Sequence, residues 1–161
     1  MTKAWIGIGS NVGDRTSFCR QAVDELRRID GVNVLATSSL YETSPIGGPP
    51  QRSFVNAAVL VETDLVARRL FEECKAIESR MGRGDGDMRW GPRVIDLDLL
   101  LFGDAKLVEP DLEIPHARMT ARRFVLVPLL EIDPGLTDPW GTRYSDLLED
   151  AEGEVELLEP F

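Results

Sequence analysis

A chain of 161 residues has the length of one domain and is long enough to bury a real core. Its 43% hydrophobic and 29% charged residues exclude a disordered or fibrous chain. A net charge of −10 argues against nucleic acid as a partner, because phosphate backbones attract basic surfaces.

In chain order, "KAWIGIG" reads as a short apolar strand ended by glycines, and "SNVGD" as a turn. Asp14 is expected to cap a helix in which Phe18, Ala22, Val23, Leu26 and Ile29 recur at helical spacing, with Asp30-Gly31 as its stop. "VNVLATSSLYET" reads as a second strand, rich in Val, Thr and Tyr. "SPIGGPPQRS" is a loop, with three prolines and two glycines in ten residues. "FVNAAVLVET" is a third strand, and Asp64 is expected to cap a second helix with Val66, Leu70, Ile77 and Met81 on one face. "GRGDGDMRWGPR" is a loop, and "IDLDLLLF" a fourth strand. A short strand near Leu107, a Pro-His turn, a helical region around Arg118 to Ile132 and a last helix near Tyr144 complete the chain.

The order β-α-β-β-α-β predicts a ferredoxin-like α+β fold, an antiparallel sheet with helices, followed by a C-terminal extension. No repeat or long linker divides the chain, so residues 1–161 are expected to form a single domain. Residues 142 to 161 carry seven acidic side chains against one basic, and the stretch from about 145 to 161 is expected to be a solvated acidic tail. No signal-peptide pattern opens the sequence, and no apolar run reaches the ~20 residues that span a membrane. Cys19 and Cys74 lie in helical patterns without metal spacing, which suggests free buried thiols in a reducing cytoplasm.

Charge is distributed unevenly. Residues 80 to 123 hold eight of the 18 basic and eight of the 28 acidic residues, so this segment is neutral and the rest carries the whole −10. An arginine-rich zone on an acidic protein suggests a site for a small, highly charged anion; the alternative is a set of surface ion pairs. Within it, Asp96 and Asp98 lie on one face of a strand, with Cα atoms about 6.5–7 Å apart. Two carboxylates so placed repel unless a cation sits between them. Hard oxygen ligands without Cys or His favour magnesium, and two ions about 3.5–4 Å apart would fit between the carboxylates and a polyphosphate. A solvated strand face paired to arginines is the other reading.

Arg83, Arg89 and Arg93 lie upstream of the aspartates, and Arg118, Arg122 and Arg123 downstream. Guanidinium groups bind phosphate oxygens in a fixed fork, and magnesium with arginines is the equipment of phosphoryl transfer. His116 is the only histidine and stands at the mouth of this basic region, in reach of a phosphate oxygen or simply structural. Phe54 and Asn56 share a strand face, Trp90 lies in the loop, and Phe124 follows the arginines. An aromatic pair can sandwich a flat heterocycle whose edge an asparagine reads; Phe54 and Phe124 as plain core residues is the alternative. "GIGSNVGD" is not a dinucleotide loop, since its glycines are spaced G-x-G-x-x-x-G, and no Walker-type Gly-Lys-Ser/Thr occurs.

The chain resembles the hydroxymethyl-dihydropterin pyrophosphokinase family of folate biosynthesis. "RWGPRVIDLDLL", from Arg89 to Leu100, fits that family's Arg-x-Gly-Pro-Arg-x-x-Asp-x-Asp pattern at every defined position. "GIGSNVGD", "YETSPIG", "FVNAA" and "IPHARM" with Arg122 and Phe124 match in the same order, over nearly the whole chain to about Trp140. The resemblance implies transfer of pyrophosphate from ATP to the hydroxymethyl group of a reduced pterin, with AMP leaving. It implies that Asp96 and Asp98 hold two magnesium ions. Arg83, Arg93, His116 and Arg122 would bind the phosphates, with Arg83, Arg93 and Arg122 steadying the transition state. Glu78 matches an acidic position on the ATP side. Phe54 and Phe124 would sandwich the pterin, Asn56 with Thr43, Ser44, Pro45 and Ile46 would read its edge, and Trp90 would close over it.

Asp85 and Gly86 stand where better-known bacterial members carry basic residues, and Ala117 where some carry tyrosine; these departures bear on triphosphate binding and not on the metal pair. ATP and the pterin are the expected partners of a cytoplasmic monomer that binds neither nucleic acid nor membrane. Another two-metal enzyme, a phosphohydrolase or nuclease, and a non-catalytic ferredoxin-like binding module are the rival readings.

Overall fold

The computed structural model describes residues 1–44, 52–82 and 94–161. Strand β1 (Thr2–Ser10) leads into helix α1 (Arg15–Arg27), then β2 (Val32–Thr37), β3 (Leu40–Thr43), β4 (Phe54–Thr63), helix α2 (Ala67–Arg80) and β5 (Asp96–Phe102). The chain continues through a two-stranded ribbon, β6 (Leu107–Val108) with β7 (Glu113–Ile114), a cis Ile114-Pro115 bond and a 3-10 turn at Met119–Ala121. Helix α3 (Arg123–Ile132), a second 3-10 turn at Tyr144–Leu147 and strand β8 (Val155–Glu159) follow. All pairings in the main sheet are antiparallel, in the order β5-β1-β4-β3-β8, with β2 beside the lower half of β4. This is the expected ferredoxin-like arrangement.

Burial explains the layers. Cys19, Ala22, Val23 and Leu26 of α1 and Leu70, Cys74 and Ile77 of α2 pack against Ile6, Ile8, Val55, Ala57, Val59, Val61 and Leu97 on one sheet face. Each such buried Leu or Ile contributes about 2 kcal/mol through area removed from water. On the opposite face Leu126 and Leu129 of α3 pack with Trp5, Ala58, Met119 and Tyr144. The extension therefore adds a helix to the second face. A bulge where Trp5 opposes Leu101 and Ile6 opposes Leu99 leaves Leu100 as the extra residue of β5. Leu97 and Leu99 then enter the first core, Leu100 and Leu101 the second.

Asp14 caps α1 as expected, accepting the Ser17 N–H. Three other expectations are corrected. Asp64 does not cap α2: Val66 occupies the cap position without a side-chain bond and is exposed, while the Thr63 hydroxyl takes the Leu65 N–H. The segment from Val32 to Thr43 is not one strand. Ser38 exchanges bonds with Ala58 through its own N–H and hydroxyl, and Ser39 turns to Glu131, so the chain leaves the ladder and resumes as β3. The acidic terminus is not a solvated tail. Val155–Glu159 pair with β3, Arg20 bonds Glu159 and the Pro160 carbonyl, and Phe161 packs against the core. Acidic content misled because strand pairing uses backbone N–H and carbonyl groups, which acidic residues carry like any others.

Candidate active site

The site is built on the upper half of the sheet, on the face that α3 covers only lower down. Its centre is β1, where Gly7 and Gly9 face the same way. Gly9 lies between Asn56 of β4 and Asp96 of β5; Gly7 lies between Ala58 and Asp98. The two glycines thus leave a trough with a carboxylate pair along one wall and an amide along the other. The space is tight: a Cβ on Gly9 would stand 2.7 Å from Asn56 Nδ2 and 3.7 Å from Phe54 Cδ1. A Cβ on Gly7 would meet Leu100 Cδ1 at 3.3 Å. The Gly-x-Gly pair excluded as a dinucleotide loop has this different use, close approach of side chains across a strand.

Asn56 is held by its neighbours. The Thr43 hydroxyl donates to Oδ1 at 2.5 Å and Nδ2 donates to the Ile8 carbonyl at 3.3 Å. Among the described residues these bonds use one donor and one acceptor position of the amide, leaving one of each for a ligand edge. Asn56 is 8% exposed, so the orientation is fixed before any ligand arrives. Phe54, two residues earlier, is half-buried on the same face.

Asp96 and Asp98 are half-buried while Leu97 between them is fully buried, as strand alternation requires. Among the described residues the outer edge of β5 at Leu97 has no strand neighbour. Instead α2 supplies an ion pair: Glu78 Oε2 accepts the Leu97 N–H at 2.7 Å, and Lys75 Nζ donates to the Leu97 carbonyl at 3.4 Å and to Glu78 at 3.1 Å. The pair stands in for a neighbouring strand at the residue that spaces the two aspartates. Glu78 is only 4% exposed.

His116 is tied to the same strand, its N–H donating to the Leu100 carbonyl at 2.9 Å. Burial holds its imidazole below the usual pKa; Arg122, Lys75 and Arg118 act in the same direction, and Asp98 opposes them. The ring is therefore neutral at neutral pH. Its Nδ1 accepts the Arg118 N–H at 3.4 Å, which leaves the proton on Nε2 as a donor. Arg122 also lies below its usual value, through burial and Arg118, with Asp98 opposing. Its guanidinium stands 5.3 Å from the centroid of the half-buried Phe124 ring. Asp98, His116 and Arg122 thus form one electrostatic neighbourhood, from β5 and the segment before α3.

Thr43 and Ser44 lie at the end of β3, with Thr43 buried on Asn56. Pro45, Ile46, Arg83, Trp90 and Arg93 lie outside the described residues, as do Asp85, Gly86 and Arg89. Sequence reasoning missed Gly7 and Gly9, Lys75, and the last residues of the chain. Only the glycines left a readable signal, two of them two apart inside a strand.

The residues fit magnesium by their chemistry. Among the described residues no three His, Cys, Asp or Glu side chains gather as a complete metal site. Two carboxylates alone suit an ion that keeps waters and takes its remaining ligands from substrate phosphates.

Comparison with known proteins fits this geometry. The family model described as 7,8-dihydro-6-hydroxymethylpterin-pyrophosphokinase matches residues 5–134. The chain belongs to that family. Two bacterial proteins named 2-amino-4-hydroxy-6-hydroxymethyldihydropteridine pyrophosphokinase are similar along most of their length. That of Methylorubrum extorquens is 44% identical over 136 residues, 84% of this chain and 85% of that protein. That of Bacillus subtilis is 46% identical over 129 residues, 80% and 77%. The folic acid synthesis protein fol1 of Schizosaccharomyces pombe is 39% identical over 137 residues, 85% of this chain and 19% of that longer protein. Among solved structures, Plasmodium falciparum HPPK-DHPS superposes with a TM-score of 0.70 at 16% identity, over 92% of this chain and 43% of that one, a likeness of fold. This pyrophosphokinase is thus a transferase of a family that uses ATP as co-substrate. No described helix is long and apolar enough to cross a membrane.

Proposed function

We propose that ATP and 6-hydroxymethyl-7,8-dihydropterin bind side by side in the Gly7–Gly9 trough, and that the terminal pyrophosphoryl group of ATP passes to the hydroxymethyl oxygen. The product is the pterin diphosphate, with AMP released, a step of folate biosynthesis. The register that sets Asp96 and Asp98 across Gly7 and Gly9 from Asn56 carries this reading, because it puts an anion-handling wall and an edge-reading wall one strand apart.

In the reaction the pterin oxygen forms a bond to the β-phosphorus in line as the bond from that phosphorus to the AMP phosphate breaks. The bonding pair leaves on the bridging oxygen that becomes part of AMP, and the hydroxyl proton passes to solvent water. Positioning and charge stabilisation carry most of such a transfer. Asp96 and Asp98 would hold two magnesium ions through their carboxylate oxygens. The ions, when bound, supply neutralisation of triphosphate charge. Arg122 and neutral His116 donate to phosphate oxygens, with Arg83 and Arg93 from the preceding segment. Glu78 serves the ATP side by holding the Leu97 backbone between the aspartates. Phe54 and Phe124 bracket the pterin ring, Asn56 with Thr43, Ser44, Pro45 and Ile46 reads its edge, and Trp90 closes over it. The chain acts as a cytoplasmic monomer, one domain over residues 1–161, independent of nucleic acid and membrane.

The test is separation of nucleotides after incubation with ATP, magnesium and the pterin. AMP that forms only when pterin is present is expected; ADP or phosphate released without pterin would favour a hydrolase. Asp98→Ala should lower turnover by at least about a hundredfold while pterin binding, followed by calorimetry, survives. Loss of both together would mean that Asp98 is structural.

A further inference from the structure

Arg122 joins a 3-10 turn to α3: its N–H donates to the Met119 carbonyl at 3.5 Å, and its carbonyl accepts the Val125 and Leu126 N–H groups at 3.1 Å. Arg122 is a single extended residue, φ −125° and ψ 116°, between a 3-10 turn and α3. Each helix thus holds one side of Arg122, and a third contact holds the residues that flank it. The partner comes from Glu152, which lies beyond the 5–134 span matched by the family. Glu152 N–H donates to the Ala121 carbonyl at 2.9 Å, and the Glu152 carbonyl accepts the Arg123 N–H at 2.9 Å. The two bonds bracket Arg122 as a parallel bridge. Arg123 Nε adds a bond to the Ala151 carbonyl at 3.0 Å.

The bracket is itself anchored. Ala151 is 7% exposed, within the core that includes Met119 and Tyr144. Gly153, at φ 111°, then turns the chain. The Glu154 carbonyl accepts the Ser44 N–H at 3.3 Å, and β8 continues along β3. One short stretch thus joins the arginine segment to the end of the strand that carries Thr43.

We infer that the Ala151–Glu154 stretch is a positioning clamp for Arg122, acting through the Glu152 backbone to aim the guanidinium at the ATP phosphates. The inference rests on the assignment of Arg122 to those phosphates. A fixed backbone at Arg122 leaves only side-chain torsions to order when ATP binds, so the clamp acts on the ATP side of the site. Its side-chain charge is immaterial; its N–H is not.

Glu152→Pro removes that N–H, and Glu152→Ala keeps it. With folding verified by circular dichroism and thermal melting, Glu152→Pro should raise KM for ATP roughly tenfold, the scale of one lost hydrogen bond, with KM for the pterin within about twofold. Glu152→Ala should restore the ATP value. If Glu152→Pro does not fold, Arg123→Met decides instead, with an expected rise in KM for ATP of about threefold. A lowered melting point with unchanged KM for ATP in the deciding variant would reduce the clamp to a structural tie and overturn the inference. Arg122→Ala is the reference. Unchanged KM for ATP there would overturn the phosphate assignment itself, whereas a raised KM there with normal values in Glu152→Pro or Arg123→Met would overturn the clamp alone.

Discussion

Gly9 and Asn56 illustrate how little room a functional residue leaves its neighbours. A methyl group on Gly9 would come within 2.7 Å of Asn56 Nδ2, closer than non-bonded atoms tolerate. The amide would have to leave the Thr43 hydroxyl and the Ile8 carbonyl that orient it. Gly9→Ala should therefore raise KM for the pterin about tenfold or more while leaving KM for ATP nearly unchanged. Equal effects on both substrates would mean that the trough serves the fold and not the pterin edge. The aspartates work in the opposite way: they are legible in the sequence because strand alternation alone puts them together.

Among the elements, two contacts outside the sheet ladder set the geometry. The Lys75–Glu78 pair satisfies both backbone groups of Leu97 at the free edge of β5. Glu78→Ala would leave a buried N–H without its acceptor and should cost about 1–3 kcal/mol in thermal or urea unfolding. It should also raise the magnesium concentration needed for half-maximal turnover, since the aspartates flank Leu97. A stability loss with normal magnesium dependence would confine Glu78 to the fold.

The second contact ties α3 to β3. Glu131 accepts the Ser39 N–H, the Ser39 hydroxyl and the Tyr41 hydroxyl. Burial alone would raise its carboxyl, but these bonds outweigh it and hold the pKa below the ordinary 4.5. A carboxyl lowered in the folded state contributes stability that is present above the unfolded value and lost as pH falls through the folded one. Glu131→Gln should lower the unfolding free energy at pH 7 by about 1 kcal/mol or less, because the group is exposed, and the difference from wild type should shrink below pH 4.5. A difference that stays constant across that range would show that ionised Glu131 adds nothing.

For the whole molecule, the two thiols report on cooperativity. Cys19 and Cys74 are fully buried, and burial pushes both up to about 12. Neither is a thiolate at pH 8, and no reagent reaches them in the folded state. A thiol reagent should label neither cysteine in native protein and both in denaturant, at a rate that follows global unfolding. Fast native labelling of Cys74 alone would reveal local opening of α2.

Much of the fold and of the site was legible in the sequence, for reasons that differ by residue. Helical spacing found α1 and the buried side of α2, and Asp14 announced its cap. Asp96-Leu97-Asp98, Phe54 and Asn56 declared shared faces because a strand repeats every two residues. The break at Ser38–Ser39 was not legible, since it depends on Ala58 and Glu131 from distant parts of the chain. Nor could Val66 be seen to lie outside the apolar face of α2, because that helix starts at Ala67 with no side-chain cap to mark it.

What the sequence determined by itself was local and periodic: which segments form helices and strands, which side chains share a face, and which chemistry those side chains can do. What only the tertiary structure decided was who meets whom at long range. Strand register put Gly7 and Gly9 between the carboxylates and Asn56, α2 lent an ion pair to the edge of β5, and the terminal acidic segment turned back to bracket Arg122. These contacts run through backbone N–H and carbonyl groups, which every residue except proline carries alike, so side-chain identity leaves no trace of them in the sequence.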